Sequence, residues 1–498
     1  MKTKNNIPVG IDDIPVLSKE DFHARVSDLL SDDRAHCIAY FALKKENGYR
    51  LFIGTANDAS QDIDVQATEI TPADEPESFT PMHNAMHAFE REIHEQFGIS
   101  FRNHPWLKPL RYSFDRYNKK ATPDNFPFFS IDSDELHEVG VGPIHAGIIE
   151  PGHFRFICEG EKVLHLEIVL GYQHRGVESM MRGGAPDLKK MLLSETIAGD
   201  STVAHALGYV SAIEALAEVK PDTKLQAERC IALELERIAI HTGDTAALCM
   251  DVAYQFGQVT CEALRTIVIN TVQMWCGNRF AKGLIRTGGT NYPADSAICR
   301  QIRSNLHETV TRYRDIASKI LSLPSLLARF EDIGVVTKEQ ALLAGLTGLS
   351  ARASGLERDI RKTHPFQYYN QCANAIVTEP SGDVLARLKQ RISEIEQSFN
   401  NINRFLDAIE HPESAQKRPE YSPALKPNQL CFSLTEGWRG EICHTVMTDS
   451  AGNIALYKIK DPSLHNWFGL ALAVRNQDIS DFPICNKSFN LSYCGFDL

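Results

Sequence analysis

Residues 153–171 read HFRFICEGEKVLHLEIVLG. Phe154, Phe156 and Cys158 alternate onto one face of an extended run, and Leu164, Leu166, Ile168 and Leu170 onto one face of the next. His165, Glu167 and Val169 take the opposite face, and Gly160 supplies the turn. A period of two interrupted by glycine predicts a β-hairpin with one buried face. The period then changes. From about Asp187 to Leu321 the pattern is helical, as where Ile231, Leu235 and Ile238 recur in a segment carrying Glu228, Glu234 and Glu236. Asp383–Ile409 is the plainest helix. Leu385, Leu388, Ile392, Ile395, Phe399, Ile402, Leu406 and Ile409 alternate steps of 3 and 4, a seam suited to packing inside a helical bundle. The chain from Val141 onward is therefore mainly α, with β at its entrance and again expected near its end.

The chain before it reads differently. Cys37–Leu43 and Tyr49–Gly54 are β-prone runs separated by Lys44–Gly48, which ends in the hairpin-forming pair Asn47-Gly48. A helix is predicted over about Pro81–Phe97, where Met82, Met86, Phe89, Ile93 and Phe97 form one stripe. Glu90, Arg91, Glu92 and Glu95 lie off that stripe, and Gly98 is a helix stop. Polar residues with Pro123 and Pro127 make 114–140 a connector. The expected architecture is α+β: a first domain at 1–125, a linker at 126–140 and a second domain at 141–498.

Composition narrows the function. With 498 residues, 43% apolar and 23% charged, the chain is ordinary globular material. A net charge of -12 argues against a general nucleic-acid binder. The longest apolar run, Trp467–Val474, falls far short of the roughly 20 residues of a membrane-spanning helix. Met1–Asp12 has no apolar signal core, which predicts no export. The 12 cysteines are scattered and none forms a C-x-x-C, so reduced thiols in the core are expected. There is no G-x-G-x-x-G, no Walker loop and no H-E-x-x-H.

Longer stretches carry a resemblance. Residues 87–105, HAFEREIHEQFGISFRNHP, resemble the signature of the small hydrophilic subunit of respiratory complex I. GPIH at 142–145, EPGHFR at 150–155 and GYQHRGVE at 171–178 resemble the entrance of the complex I quinone-site subunit. The EPGHFR form is closer to the large subunit of membrane-bound nickel–iron hydrogenases of the formate-hydrogenlyase type. ARASG at 351–355, with Asp359 and Arg361, and EGWRGE at 436–441 continue the match. The resemblance implies an N-terminal α/β domain of the small-hydrophilic-subunit type, fused to a mainly α domain like the hydrogenase large subunit.

The chain departs from that family where the chemistry lies. Such hydrogenases hold nickel and iron with two C-x-x-C pairs, because the centre needs soft, anionic thiolates able to bridge metals. The early pair falls in SETIAGDSTVAH at 194–205, where Ala198 and Ser201 occupy the cysteine positions. The late pair falls in DFPICNKSFNLSYCG at 481–495, where Ser492 and Gly495 occupy them and Cys494 stands one residue out of register. No metal is therefore expected in this chain. The tyrosine that faces the quinone head group in complex I is matched by Gly199. Glu150, five residues after His145, stands where the resemblance puts a proton-gating glutamate, with a turn residue before Pro151 as the plain alternative. Arg439 matches an arginine of the hydrogenase pocket and, without metal, is expected to pair with a carboxylate. His145 capping or bracing the hairpin, His205 as a structural residue and Arg352 as a buried ion-pair or interface arginine are the plain readings of those side chains. In the family a C-terminal extension is removed after metal insertion. Here three residues follow Gly495, and Phe489, Leu491, Tyr493 and Phe496 are expected to be buried.

The resemblance implies a metal-free, hydrogenase-like subunit at the cytoplasmic face of a membrane assembly. Its expected partners are an iron–sulfur subunit of the hydrogenase small-subunit type, which carries the cluster, and ion-transporting membrane-arm subunits. Glu150, His145 and Arg439 are the candidate site residues. Two other readings stand beside this one: a reductase of a quinone or other carrier, and a scaffold without chemistry.

Overall fold

The computed structural model describes residues 1–147, 149–372, 374–409 and 417–498. The fold is α+β, built on three sheets and a helical bundle. In the first sheet Lys2–Thr3, Asp62–Ile70, Gly48–Asn57 and Ala35–Lys45 lie side by side, with Val16–Leu17 parallel to Asp62–Ile70. Its hairpin pairs Lys45 with Gly48, so the loop residues are Glu46 and Asn47, one position earlier than the Asn-Gly signal suggests. Ser18 caps the helix Lys19–Leu30 by accepting the Asp21 N–H, and the buried Phe22 and Val26 face the sheet.

The predicted helix after Pro81 starts late. Met82 and His83 both donate to Phe79 O, a single 3-10 turn follows at Asn84–Met86, and the α-helix is His87–Phe97. Met82 is consequently 67% exposed, outside the buried stripe. Gly98 ends the helix at φ 73°, a left-handed conformation glycine adopts without strain.

The hairpin predicted at 153–171 is strands His153–Glu159 and Lys162–Val169, joined through Gly160 at φ 56° and flanked by His137–Val141. The buried positions of its second strand and the residue after it are Val163, Leu166, Val169 and Leu170, not the even-numbered set. Two causes combine. A register irregularity between Ile157 and Cys158 shifts the pairing, and the segment before the hairpin folds Tyr112 and Phe126 onto Val169.

The third sheet is the centre of the molecule. Its order is Ile454–Lys460, Glu441–Thr448, Gln429–Glu436 and Val9–Gly10, so a strand from the chain's beginning closes a sheet made near its end. All of Glu441–Thr448 is buried, because the helix Thr202–Leu216 covers the sheet on one side and the first sheet approaches on the other. Around it pack Thr223–Asp251, Gln255–Cys276, Ser296–Ile320 and Val384–Ile409. Most of the predicted seam of Val384–Ile409 is buried in this bundle, with Ile392 and Phe399 half-buried. Every cysteine except Cys372 and Cys494 is buried. No helix among the described residues is long and apolar enough to cross a membrane.

The off-stripe glutamates of His87–Phe97 face the rest of the protein rather than water. Glu90 accepts from Ser78 Oγ, Thr80 Oγ1 and the Phe79 N–H, and Glu95 from the Leu110, Arg111 and Ser113 N–H groups. Glu92 pairs with Arg111 and, at 2.8 Å, with Lys458, whose ammonium also holds Glu178 at 2.6 Å. Burial works against the ionised Glu92, but the two cations outweigh it and hold the carboxyl at about 2. Lys458→Met leaves two buried carboxylates short of a counter-ion. It should cost about 3–5 kcal/mol of stability, read as a lower thermal midpoint. An unchanged midpoint would show that Arg111 alone balances the site.

Candidate functional site

The two loops that align with the hydrogenase cysteine pairs lie together at the edge of the central sheet. The early loop, 196–201, leads into the helix Thr202–Leu216, and the late loop, 490–492, into the helix Tyr493–Asp497, which carries Cys494 and Gly495. Arg175 ties them: its guanidinium donates to Thr196 O at 2.6 Å, to Ile197 O at 2.8 Å and to Cys494 O at 3.0 Å. Arg439 ties them again. It grips both oxygens of Asp200, at 2.6 and 2.5 Å, and donates to Ser201 Oγ at 3.3 Å and to Asn490 O at 2.5 Å. The guanidinium also lies over the Trp438 ring, 4.0 Å from its centroid. The expected carboxylate partner of Arg439 is thus Asp200.

Ala198, Ser201, Ser492 and Gly495 are all buried around this junction. Ser492 Oγ accepts the Gly495 N–H at 2.9 Å and stands 3.5 Å from Cys494 Sγ. Asp461 fills the remaining space. A Cβ on residue 495 would lie 2.7 Å from Asp461 Oδ2 and 2.9 Å from Ser492 Oγ. Asp461 cannot easily yield, since Oδ1 accepts the Ser463 N–H at 2.8 Å and Oδ2 accepts from His205 Nε2 at 3.0 Å. Burial disfavours its charge, but His205 and Arg439 outweigh that and hold the carboxyl below its ordinary range. These residues do not fit a centre built on four thiolates: a methyl group, two engaged hydroxyls and a hydrogen stand at the ligand positions. Among the described residues no group of three His, Cys, Asp or Glu side chains is arranged to hold a metal ion.

Glu150 and His145 are near this junction in sequence motif but do not act on it together. Glu150 is half-buried at the late loop, within hydrogen-bonding reach of Cys494. Burial and the Glu150 charge push that thiol up to about 11. His145 Nε2 pairs with Gly152 O at 2.8 Å and braces its own loop. The tail is buried as expected, with Phe489, Leu491, Tyr493 and Phe496 at 3–6% exposure. Its Asp497 accepts the Gly171 and Gln173 N–H groups, and burial pushes that carboxyl up to about 7.

Asp461 and Glu236 belong to the site and carry no motif of their own, while Arg175 and Asp200 lie inside the quoted stretches 171–178 and 194–205 and gain their roles only through the fold. Glu236 sits on Thr223–Asp251 and accepts the Val203 and Ala204 N–H groups at the start of Thr202–Leu216. An acidic residue in a helical pattern reads as part of a solvated face, and only the fold brings a helix N-terminus over this one.

The fold is α+β, with a small α/β domain preceding a mainly helical one whose two convergent loops meet at a buried junction. Residues 16–122 match the respiratory-chain NADH dehydrogenase 30 Kd subunit family and residues 251–431 the 49 Kd subunit family. The chain thus joins a 30 Kd-like domain and a 49 Kd-like domain in one polypeptide. It is 26% identical to formate hydrogenlyase subunit 5 of Escherichia coli (strain K12) over 479 residues, covering 92% of this chain and 81% of that protein. It is also 26% identical to one of the NADH-quinone oxidoreductase subunits of Clostridium beijerinckii, over 67% of this chain and 90% of the relative. Its fold matches a chain of an archaeal respiratory membrane complex, the membrane-bound sulfane sulfur reductase. That match has a TM-score of 0.65 at 22% identity and covers 74% of this chain and all 100% of that one.

Two measurements probe the junction. Gly495→Ala should destabilise by about 1–3 kcal/mol through overpacking, and Asp461→Ala in the same chain should relieve part of that loss. Strictly additive changes in thermal midpoint would mean the two do not touch. The second is a pH effect. Burial raises the Glu236 carboxyl from the ordinary 4.5 to about 8. The folded state then holds a proton that the unfolded state releases, so this contribution is full below pH 4.5 and is lost as pH rises through about 8. Glu236→Gln cannot ionise, and its midpoint should change less between about pH 5 and 8 than the parent's. Parallel curves would refute the shift.

Proposed function

We propose that this chain is a peripheral subunit of a membrane assembly related to complex I and the energy-converting hydrogenases. In this reading its former metal pocket holds no nickel or iron and couples a protonation or redox change to ion transport by partner subunits. The observation that carries it is the replacement of thiolates by a closed ion-pair junction: Arg439 clasps Asp200 across the two loops, while Asp461 occupies the space beside Gly495. Such a junction can store and pass protons but offers no soft ligands. An iron–sulfur partner of the hydrogenase small-subunit type would dock beside it and hold the cluster. Membrane-arm subunits would move the ion, at the cytoplasmic face. The net charge of -12 argues against a nucleic-acid partner.

A second reading is favoured by a cleft of about 510 Å³ lined by His87, Trp106, Phe126, Trp467, Phe468 and Phe496. Its size and apolar walls suit a small ligand, which keeps open a role in reducing a quinone or other carrier with electrons from the partner's cluster. Quinone reduction by the assembled complex, abolished by narrowing this cleft, would select that reading.

Glu150 tests the first. Glu150→Gln keeps the shape and removes the titrating group, on which a relay depends. The variant should assemble normally and lose most complex-dependent ion transport, with Glu150→Asp intermediate. Native complex should contain no stoichiometric nickel. Normal transport by a fully assembled Glu150→Gln complex makes Glu150 a structural residue and favours the scaffold reading over the coupling one, and stoichiometric nickel overturns the pocket assignment.

A further inference from the structure

The cleft of about 510 Å³ lies where the helix His87–Phe97 and residues 105–110 face the strand Lys162–Val169 and the helix Ser463–Val474. Two polar side chains on its wall are left unanswered by the protein. His87 is 5% exposed, and its ring lies 5.5 Å from that of Trp106 and 5.4 Å from that of Phe468. Those two rings run nearly parallel, with centroids 6.2 Å apart. Neither nitrogen of His87 has a hydrogen-bond partner among the described residues. A buried imidazole in that state is costly.

Arg91 stands four residues on, so it shares a face of the helix with His87 one turn away. Its Nε donates to Lys108 O at 2.9 Å and its Nη2 to Pro109 O at 2.6 Å. Its Nη1 has no hydrogen-bond partner, and the guanidinium no ion-pair partner, among the described residues. Burial pushes the guanidinium down to about 10, so it is still charged at neutral pH. The other charges at the cleft cancel. Lys108 pairs with Glu167, which also accepts the Phe129 N–H at 2.8 Å. Burial holds the His165 imidazole below its ordinary range and that of His87 well below it, which keeps both neutral. Glu95, the next carboxylate along the helix, is turned to the 110–113 backbone. The cleft thus carries one positive charge in excess.

We infer that this cleft binds an amphiphilic carboxylate, its head on His87 and Arg91 and its apolar body against Trp106, Trp467 and Phe468. The inference rests on the second reading above only in taking the cleft as a ligand site. An imidazole N–H and a free guanidinium Nη1 one turn apart offer two donors to one carboxylate, and charge-assisted bonds of this kind are the strong ones. The walls are otherwise aromatic and aliphatic, which suits an acyl chain or a fused ring. A quinone carbonyl would answer His87 but leave Arg91 without a counter-charge.

Trp106 and Trp467, two of the chain's four tryptophans, line the cleft and report on it. The full chain, titrated with decanoate brominated at its tail carbon, should show saturable quenching of tryptophan emission. Unlabelled decanoate should compete, and octanoate should compete roughly tenfold less well, since each buried methylene contributes about three- to fourfold. Naphthoate competing in place of decanoate would mark the body as a ring rather than a chain. Decanol, with the same body and no charge, should compete about tenfold less well than decanoate. Simple partition onto apolar surface ranks the pair the other way, because it strips water from the charge. His87→Leu keeps the bulk and removes the N–H. It should weaken decanoate by about tenfold or more, change decanol less, and leave the thermal midpoint of the free chain no lower, since the ring has no partner to lose. Ala471→Phe narrows the cleft and should weaken every probe. Decanol competing as well as decanoate overturns the anionic head. Quenching that does not saturate, or that Ala471→Phe leaves unchanged, overturns the site. Should His87→Leu fail to fold, those two comparisons still decide. Quinone reduction by the assembled complex bears on the second reading alone: it can persist when decanoate does not bind and be missing when decanoate does.

Discussion

Arg352 is the side chain on which the geometry of the pocket rests. It is 1% exposed and meets two carboxylates, Glu394 through Nε and Nη2 at 3.0 and 2.8 Å and Glu436 through Nη1 at 2.7 Å. Glu394 belongs to the helix Val384–Ile409 and Glu436 ends the strand Gln429–Glu436. The same carboxylate of Glu394 accepts from His241 on Thr223–Asp251, where Glu234 in turn holds Arg361 and Arg237. Removing one partner from such a buried set strands the others at about 3–5 kcal/mol. The set therefore locks helix, helix and strand into one register. The consequence falls three residues on. After Glu436 the chain turns tightly, Gly437 and Gly440 exchanging backbone hydrogen bonds, and Arg439 is thrown out at the turn. Gly348 lies so close that a Cβ there would stand 2.0 Å from Arg439 O. Arg439 can reach Asp200 and Asn490 together because its backbone has nowhere else to be.

The first domain is held to this core by charge as much as by apolar contact. Gly54 of the first sheet lets Phe432 of the central sheet approach, and His36 pairs with Glu441 at 2.6 Å, which also holds Lys460. With Glu92, Lys458 and Glu178 these pairs place both domains against the Glu441–Thr448 and Ile454–Lys460 strands. Those same strands carry His444, Tyr457 and, just past the end, Asp461. Docking of the small domain and placement of these buried polar side chains are thus two faces of one sheet.

Much of this is legible in the sequence, and the limits are physical. Periodicity finds which residues share a face, so the 153–171 hairpin, the bundle helix at Val384–Ile409 and the α+β class can all be read. Periodicity does not say what covers the other face. Glu90, Glu92 and Glu95 look solvated because the chain segments that cover the polar side of the helix, 78–80 over Glu90, 110–113 over Glu95 and Lys458 over Glu92, leave no trace in the helix's own pattern. The even-numbered stripe of the hairpin holds at Leu166 and Leu170 and gives way at Leu164 and Ile168, with Tyr112 and Phe126 covering Val169 and a register irregularity shifting the pairing. In the site, motif resemblance locates Arg439, Glu150 and both loops. Asp461 escapes notice because nothing nearby marks it: its importance comes from Gly495 and His205, which lie 34 and 256 residues away in the chain.

The junction of the two loops is not closed by apolar packing. A methyl and a hydrogen at Ala198 and Gly495 would by themselves favour collapse onto hydrophobic neighbours, since an unpaired buried charge is costly. The junction instead keeps four ionisable groups, each with an opposite number: Arg439 with Asp200, and Asp461 with His205. The first pair joins the loops and fixes their distance. The second faces inward, toward His444. A carboxylate that accepts from an imidazole differs from one clasped by a guanidinium, because an imidazolium can surrender its proton near neutral pH and a guanidinium cannot. The junction therefore has two unlike halves: Arg439 and Asp200 clamp the loops together, and Asp461 faces His205, whose other ring nitrogen lies 3.2 Å from His444 of the sheet.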